Sequence, residues 1–258
     1  MTGYAELEFD LPGALLLAIL RKFEDIAPAM LTAENTAQVL NEQGIYLLYH
    51  QVAASDVLKL VYIGKTDSDA GLKSRLSRHS RKLLGRHGLS SDQVFFKALR
   101  LYVFTAMDLE TELIRHYGGV AQVPWNNSGF GSNDPGKERD TTTYKPEHFD
   151  TQFPIDIDSS FVEFLAGTYK VSAVIGALKA AVPYVIRYER PTRGRLAFHA
   201  DFDNTMVELG PHFTTRQALS ACIHALPEGW HATRLPSHII IYKNDRRAFP
   251  SGELIAKT

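Results

Sequence analysis

The stretch GIYLLYHQVAASDVLKLVYIG, residues 44–64, decides the fold. Two runs rich in aromatic, β-branched and other apolar residues, 44–50 and 57–64, flank QVAASD. That pattern predicts an antiparallel hairpin. With Leu48 set opposite Leu60, Tyr46 falls directly across from Tyr62. Residues so paired share a face, with Cβ atoms ~5 Å apart, and a slip of one residue would send the two rings to opposite faces. The expected register therefore puts two phenols side by side on a small sheet. Gly44 and Gly64, at the outer ends, are expected to let another backbone or a phosphate come close. Tyrosine is also a favoured strand residue, so two core tyrosines would explain the pair when it is taken alone.

A basic block follows at once. Residues 65–100 carry Lys65, Lys73, Arg75, Arg78, Arg81, Lys82, Arg86, Lys97 and Arg100, opposed only by Asp67, Asp69 and Asp92. Such a block can supply phosphate contacts whose strength comes from counterion release, or it can be a solvated basic helix without a partner. The spacing predicts a helix from Ala70 to about Leu84, capped by Asp67, Ser68 or Asp69 and ended by Gly85. Leu72, Leu76 and Leu83 form its buried stripe. Arg75 and His79, four residues apart, point the same way beside that stripe. An arginine offers a planar fork of donors for a phosphodiester, and a histidine can donate or accept a proton near neutral pH. A locally hydrogen-bonded boundary histidine is the plain alternative.

A third strand is expected at about 95–104 and a helix from Met107 to Tyr117, with Leu109, Leu113, Ile114 and Tyr117 on its buried side. Glu110 borders that face and Glu112 points outward. A carboxylate at the sheet edge suits a hard divalent ion, and a first-turn glutamate is also favoured by the helix dipole alone.

Composition sets wider bounds. The chain has 258 residues, 45% of them hydrophobic, and a formal charge of −1, so no global basic field points to nucleic acid. The single cysteine, Cys222, excludes a disulfide framework and a cysteine-rich zinc site, and fits a reducing compartment. The apolar run 11–20 is too short to span a bilayer and lacks a basic leader, so a packed amphipathic helix over 13–28 is expected rather than a signal peptide.

Taken in order, G-I-Y, Y-I-G, Arg75-x-x-x-His79, Glu110-x-x-Leu113-Ile114-x-x-Tyr117 and Pro124-Trp125-Asn126 resemble the motifs of the GIY-YIG nuclease superfamily. The segment Gly129-Phe130-Gly131-Ser132-Asn133-Asp134-Pro135-Gly136 is similar to one found in a Type II restriction branch. The resemblance covers about the middle third of the chain. It implies that Glu110 is the acidic metal ligand, for Mg²⁺ or Mn²⁺, and that Arg75 binds the scissile phosphate. It implies that Tyr46 activates the attacking water with help from Tyr62 and His79, and that Asn126 anchors a strand end. The interval GGVAQVPW between Tyr117 and Asn126 is longer than the family's usual one, which leaves Asn127 and Asn133 as rivals to Asn126. Lys65, Lys73, Arg78, Arg81 and Lys82 are further candidate DNA contacts, as are Lys137 and Arg139 after the glycine-rich loop and Arg193 in the C-terminal region.

Tyrosine is a weak base at its reference pKa of ~10, and Arg75, Lys65 or a metal is expected to lower it. The implied activity is site-specific cleavage of double-stranded DNA, leaving 5′-phosphate and 3′-hydroxyl ends. A homodimer is expected for a palindromic target, in the cytoplasm of a bacterial or archaeal cell. A structure-specific repair or mobile-element nuclease of the same superfamily is one alternative, and a catalytically silent DNA-binding module is another.

The expected fold class is α+β: a helical extension over 1–40, a small antiparallel sheet flanked by helices over 41–153, and a C-terminal α+β region over 154–258. In the last, helices are expected at 159–167 and 172–182, a conceivable helix-turn-helix. A hairpin of PYVIRYE and RLAFHAD is expected next, its tip crowded by Arg187, Arg190, Arg193 and Arg195. A helix at 214–226 and a strand at 238–243 complete the region. Sequence recognition, dimerisation or sensing of a modification would each suit it.

Overall fold

The computed structural model describes residues 3–5, 8, 10–53, 56–66, 70–102, 108–131, 136–191 and 198–258, without the Lys137 side chain. The described residues form an α+β protein whose contacts divide it into two compact units: Met1–Arg81 with Ser90–Asn127, and Lys82–Leu89 with Ser128–Thr258. The sequence-based segments are cut differently, since residues 128–153 pack with the C-terminal unit.

The first unit contains α1 (Leu11–Asp25), β1 (Ala29–Met30), α2 (Ala33–Ala37), β2 (Gly44–His50), β3 (Lys59–Lys65), most of α3 (Leu72–Leu83), β4 (Val94–Arg100) and α4 (Leu109–His116). Its antiparallel sheet has the order β1-β4-β2-β3. The N-terminal stretch is thus no mere extension, because β1 supplies one edge of the sheet. Period-2 alternation sorts the side chains of β2 and β3. Ile45, Leu47 and Ile63 pack with Ile19, Leu20 and Phe23 of α1 and Leu109 and Leu113 of α4. Each such side chain contributes about 1.5–3 kcal/mol by leaving water. Tyr46, Leu48 and Tyr62 face the other way, where Tyr46 and Tyr62 meet His79 of α3.

The hairpin forms, but its register differs from the expected one by two residues at the tyrosines. Tyr46 lies opposite Gly64, and Tyr62 lies opposite Leu48. A shift occurs between Leu48 and Tyr49, where Val61 is the extra residue of a bulge. Because the slip is an even number, the two phenols keep a common face as diagonal neighbours, with ring centroids 6.0 Å apart. Both glycines allow a close approach, as expected, and at Gly44 the approaching group is a backbone carbonyl. A Cβ on Gly64 would strike the Tyr46 phenol, and one on Gly44 would strike the Leu99 carbonyl and Leu72.

The expected caps of α3, Asp67 to Asp69, lie outside the described residues, as does Met107. Residues distant in sequence satisfy the N-terminus of α3: Leu72 N donates to Glu42 O (2.8 Å) and Ser74 N to Asn41 Oδ1 (2.9 Å). At the other end Gly85 adopts φ +60°, as expected of a residue that ends a helix.

The second unit contains α5 (Phe149–Gln152), β5 (Gly167–Lys170), α6 (Val171–Ala181), β6 (Val185–Tyr188), α7 (Ala200–Asn204), β7 (Met206–Leu209), α8 (Thr215–Ala225), β8 (Trp230–Arg234), β9 (His238–Lys243) and β10 (Glu253–Lys257). One sheet runs β10-β8-β9-β6, with β6 parallel to β9, and a second pairs β5 with β7. Val174, Ile175, Leu178, Phe202, Leu219, Cys222, Trp230, Ile239 and Ile241 fill its core.

Two expectations fail here. Residues 159–167 are not helical, so there is no helix-turn-helix with α6. Ser159 and Ser160 bond locally instead, to the Asp156 carboxylate and to Val162 O, which competes with a helical turn. The arginine-tipped hairpin is also absent from the described residues. β6 pairs in parallel with β9, and Ala200 and Asp201, the end of the expected second strand, open the helix Ala200–Asn204. Arg193 and Arg195 lie outside the described residues. No described helix is long and apolar enough to cross a membrane.

Candidate active site

Tyr46 sits on β2, the strand paired on both sides, and is only 1% exposed. Its hydroxyl lies 2.8 Å from Nε2 of His79, itself buried on α3. The three rings form a compact cluster: His79 is 5.5 Å from Tyr46 and 5.3 Å from Tyr62, centroid to centroid. The Tyr46 and Tyr62 phenols also interact electrostatically. Tyr62 is half-buried, so it is the phenol nearer to solvent.

Arg75, one helical turn before His79, acts electrostatically on Tyr46, Tyr62 and Glu110. Its Nε is buried and has no hydrogen-bond partner among the described residues. The cation does not make either tyrosine acidic, contrary to expectation. Burial drives the Tyr46 phenol far above its ordinary range, with further upward push from Tyr62 and only a smaller downward pull from Arg75. Tyr62 is raised too, by burial first and then by the Glu110 charge. Desolvation wins because a phenolate deprived of water loses more than one cation returns.

Glu110 stands in the first turn of α4 and is half-buried. Burial raises its carboxyl above the usual range, against a hydrogen bond from the Lys65 backbone and the pull of Lys65 and Arg75. Glu112 is held by Arg115 at 2.6 Å, on the outer side of α4. The sequence reading missed Asp108, two residues before Glu110. It takes Lys65 Nζ at 2.7 Å and Thr111 Oγ1 at 2.7 Å, which together hold its carboxyl low. Its only sequence signal was its place before the helix, where Asp reads as a cap. Among the described residues no three His, Cys, Asp or Glu side chains form a metal-holding group.

Asn126 closes the open edge of the sheet. Its Oδ1 accepts from Ile63 N (2.9 Å), and its Nδ2 donates to Ile63 O (2.8 Å). Trp125 N donates to Val61 O (2.9 Å). Alternate residues of an edge strand present unpaired groups outward, and residues 125–126 satisfy them beside Tyr62. Asn127 is not part of this clasp and adopts φ +58°, while Asn133 lies outside the described residues.

No family model and no curated protein matches this chain.

The candidate DNA contacts separate into exposed and committed groups. Lys73, Arg78 and Arg81 are exposed on α3. Lys65 is also exposed but paired with Asp108. Lys82 is committed within the second unit. Its ammonium donates to Gly129 O (2.6 Å) and Phe130 O (2.8 Å) and lies 5.5 Å from the Phe130 and Phe149 ring centroids. Burial pulls this amine down to about 8. The turn carrying Lys137 and Arg139 is pinned by Asp140, which is wholly buried. Asp140 accepts from Arg187 (2.7 Å) and Tyr242 (2.8 Å) and lies 2.8 Å from His238 Nε2. Arg139 is half-buried there, and Arg187 is drawn away from solvent.

Proposed function

We propose that this chain is a metal-dependent, site-specific endonuclease of double-stranded DNA, of restriction type, with a GIY-YIG-like core in its first unit. The observation that carries the reading is Arg75. A buried donor without an acceptor costs about 1–3 kcal/mol, and among the described residues Arg75 Nε is such a donor, in a cluster with two phenols, an imidazole and a carboxylate. A phosphodiester supplies the missing acceptor, and the guanidinium then neutralises charge that grows on the non-bridging oxygens.

Glu110 fits a divalent ion, Mg²⁺ or Mn²⁺. Burial has left its anion short of compensating charge, and one carboxylate with water ligands is an adequate anchor for Mg²⁺. Such an ion, when bound, supplies Lewis acidity toward the phosphate and the leaving oxygen. The residues do the rest. Tyr46 keeps its proton, bonds to His79 and packs against the Tyr62 ring. Tyr62, the less buried of the two phenols, is the one that can orient an attacking water. Asn126 holds β3, and with it Tyr62, at fixed depth. In-line attack forms a bond from the water oxygen to phosphorus and breaks the bond to the 3′ oxygen; the attacking water gives up a proton to solvent, and the leaving oxygen takes one from solvent. A 5′ phosphate and a 3′ hydroxyl result.

A two-fold homodimer in a bacterial or archaeal cytoplasm belongs to the same reading. The burial of Tyr46 and His79 favours one rival, a silent DNA-binding module on the same core. Purified Glu110→Ala protein separates them. The expected result is duplex binding retained and cleavage lost relative to wild type. Equal cleavage by the two proteins would remove Glu110 from the mechanism, and an inert wild type would favour the silent module.

A further inference from the structure

Between residues 164 and 200 the chain carries six basic residues, Lys170, Lys179, Arg187, Arg190, Arg193 and Arg195, against one acid, Glu189. Arg187 is consumed by Asp140. Two of the others converge on one aromatic platform within the second unit. Tyr188, at the end of β6, stacks on Phe198 with centroids 5.0 Å apart and planes 21° apart. Lys179 Nζ, from the last turn of α6, lies 4.7 Å from the Tyr188 centroid, and the Arg190 guanidinium lies 5.6 Å from it. Both cations are exposed, whereas the rings beneath them are half-buried.

Two like charges over one ring repel each other, and the Lys179 ammonium is held low by burial and by Arg190. The ring's quadrupole offsets part of that cost and restricts both long side chains, so less rotamer entropy remains to be lost when they bind. An anionic ligand with regularly spaced charges relieves the repulsion. Duplex DNA is such a ligand, with one charge per ~1.7 Å of axis.

We propose that Lys179 and Arg190, seated on the Tyr188–Phe198 pair, form a second, sequence-independent contact surface for the phosphate backbone of duplex DNA. The inference rests on the nuclease reading. It assigns the C-terminal unit a share of DNA affinity rather than of chemistry.

The test is a Lys179→Ala, Arg190→Ala double variant. Its affinity for a duplex is measured across a salt series, alongside single-turnover cleavage at saturating DNA and thermal melting. Each lost phosphate contact removes about 0.9 from the slope of log affinity against log salt. The expected result is a slope shallower by about 1.8, with cleavage rate and melting unchanged. An unchanged slope in a wild-type background that binds and cuts DNA overturns this surface and leaves the nuclease reading intact. A wild type that binds no duplex overturns both. An unchanged DNA slope with lost binding to phosphatidylserine vesicles assigns the patch to a membrane surface and overturns the inference.

Discussion

Replacing Asn126 by alanine removes the clasp on β3 and leaves Ile63 N–H and C=O without partners. Both atoms belong to a residue with 0% exposure, and Asn126 itself is 7% exposed. Each buried group left unpaired costs about 1–3 kcal/mol. Water can reach an edge strand once the clasp is gone, so about 2–4 kcal/mol is the expected total. Since 1.4 kcal/mol is a factor of ten, the Ile63 amide should exchange about 30- to 700-fold faster where local opening governs exchange. The assay is native-state hydrogen exchange on wild type, Asn126→Ala and Asn126→Asp, with urea unfolding of each. Asn126→Asp keeps an acceptor for Ile63 N–H but sets an anion against Ile63 C=O, so it should be destabilised as well. Protection at Ile63 unchanged in the alanine variant, with unfolding free energy within about 0.5 kcal/mol of wild type, would refute the clasp. Because Tyr62 adjoins Ile63, single-turnover cleavage should fall with the lost protection.

Glu110→Gln should melt higher than wild type at pH 7. The folded carboxyl is raised above its unfolded value, so the stability it lends is full below the unfolded pKa and is lost as pH rises through the folded one. The advantage of the glutamine variant should therefore vanish near pH 4, and a variant less stable than wild type at pH 7 would contradict this. Lys82→Met should lower stability by about 1–3 kcal/mol through its two abandoned carbonyls and leave the salt slope of DNA binding unchanged. Lys73→Ala with Arg81→Ala should do the reverse, reducing that slope by about 1.8 with little effect on melting.

Much of the first unit was legible because its strands alternate and its helices carry apolar stripes. β2, β3, β4, α3 and α4 all lie within a few residues of their expected spans. The common face of Tyr46 and Tyr62 survived an error in register because the error was even. The bulge at Val61 carries no composition signal of its own, and the register depended on it. Tertiary partners were also invisible. Asn41 and Glu42 cap α3 from about thirty residues away, and Asp108 holds Lys65. Lys82 read as one more cation of the basic block, yet it turns to the carbonyls of Gly129 and Phe130. In the second unit, short runs such as FVEFLAG and RLAFHAD fit helix and strand equally well. There a parallel pairing of β6 with β9, set by contacts distant in sequence, overrode the expected hairpin.

The acidity of the tyrosines was misjudged for a physical reason. A cation nearby is visible in sequence, but the depth of the phenol is not. At 1% exposure the desolvation of Tyr46 outweighs Arg75.

The most direct test is incubation of purified protein with plasmid or phage DNA and Mg²⁺, followed by end mapping of the products. Discrete fragments bearing 5′ phosphates and 3′ hydroxyls are expected from wild type, with none from Glu110→Ala or Arg75→Ala at equal duplex occupancy. DNA left intact by the wild type with both Mg²⁺ and Mn²⁺, or cut equally well by the Arg75→Ala protein, would contradict the assignment of this cluster to phosphodiester hydrolysis.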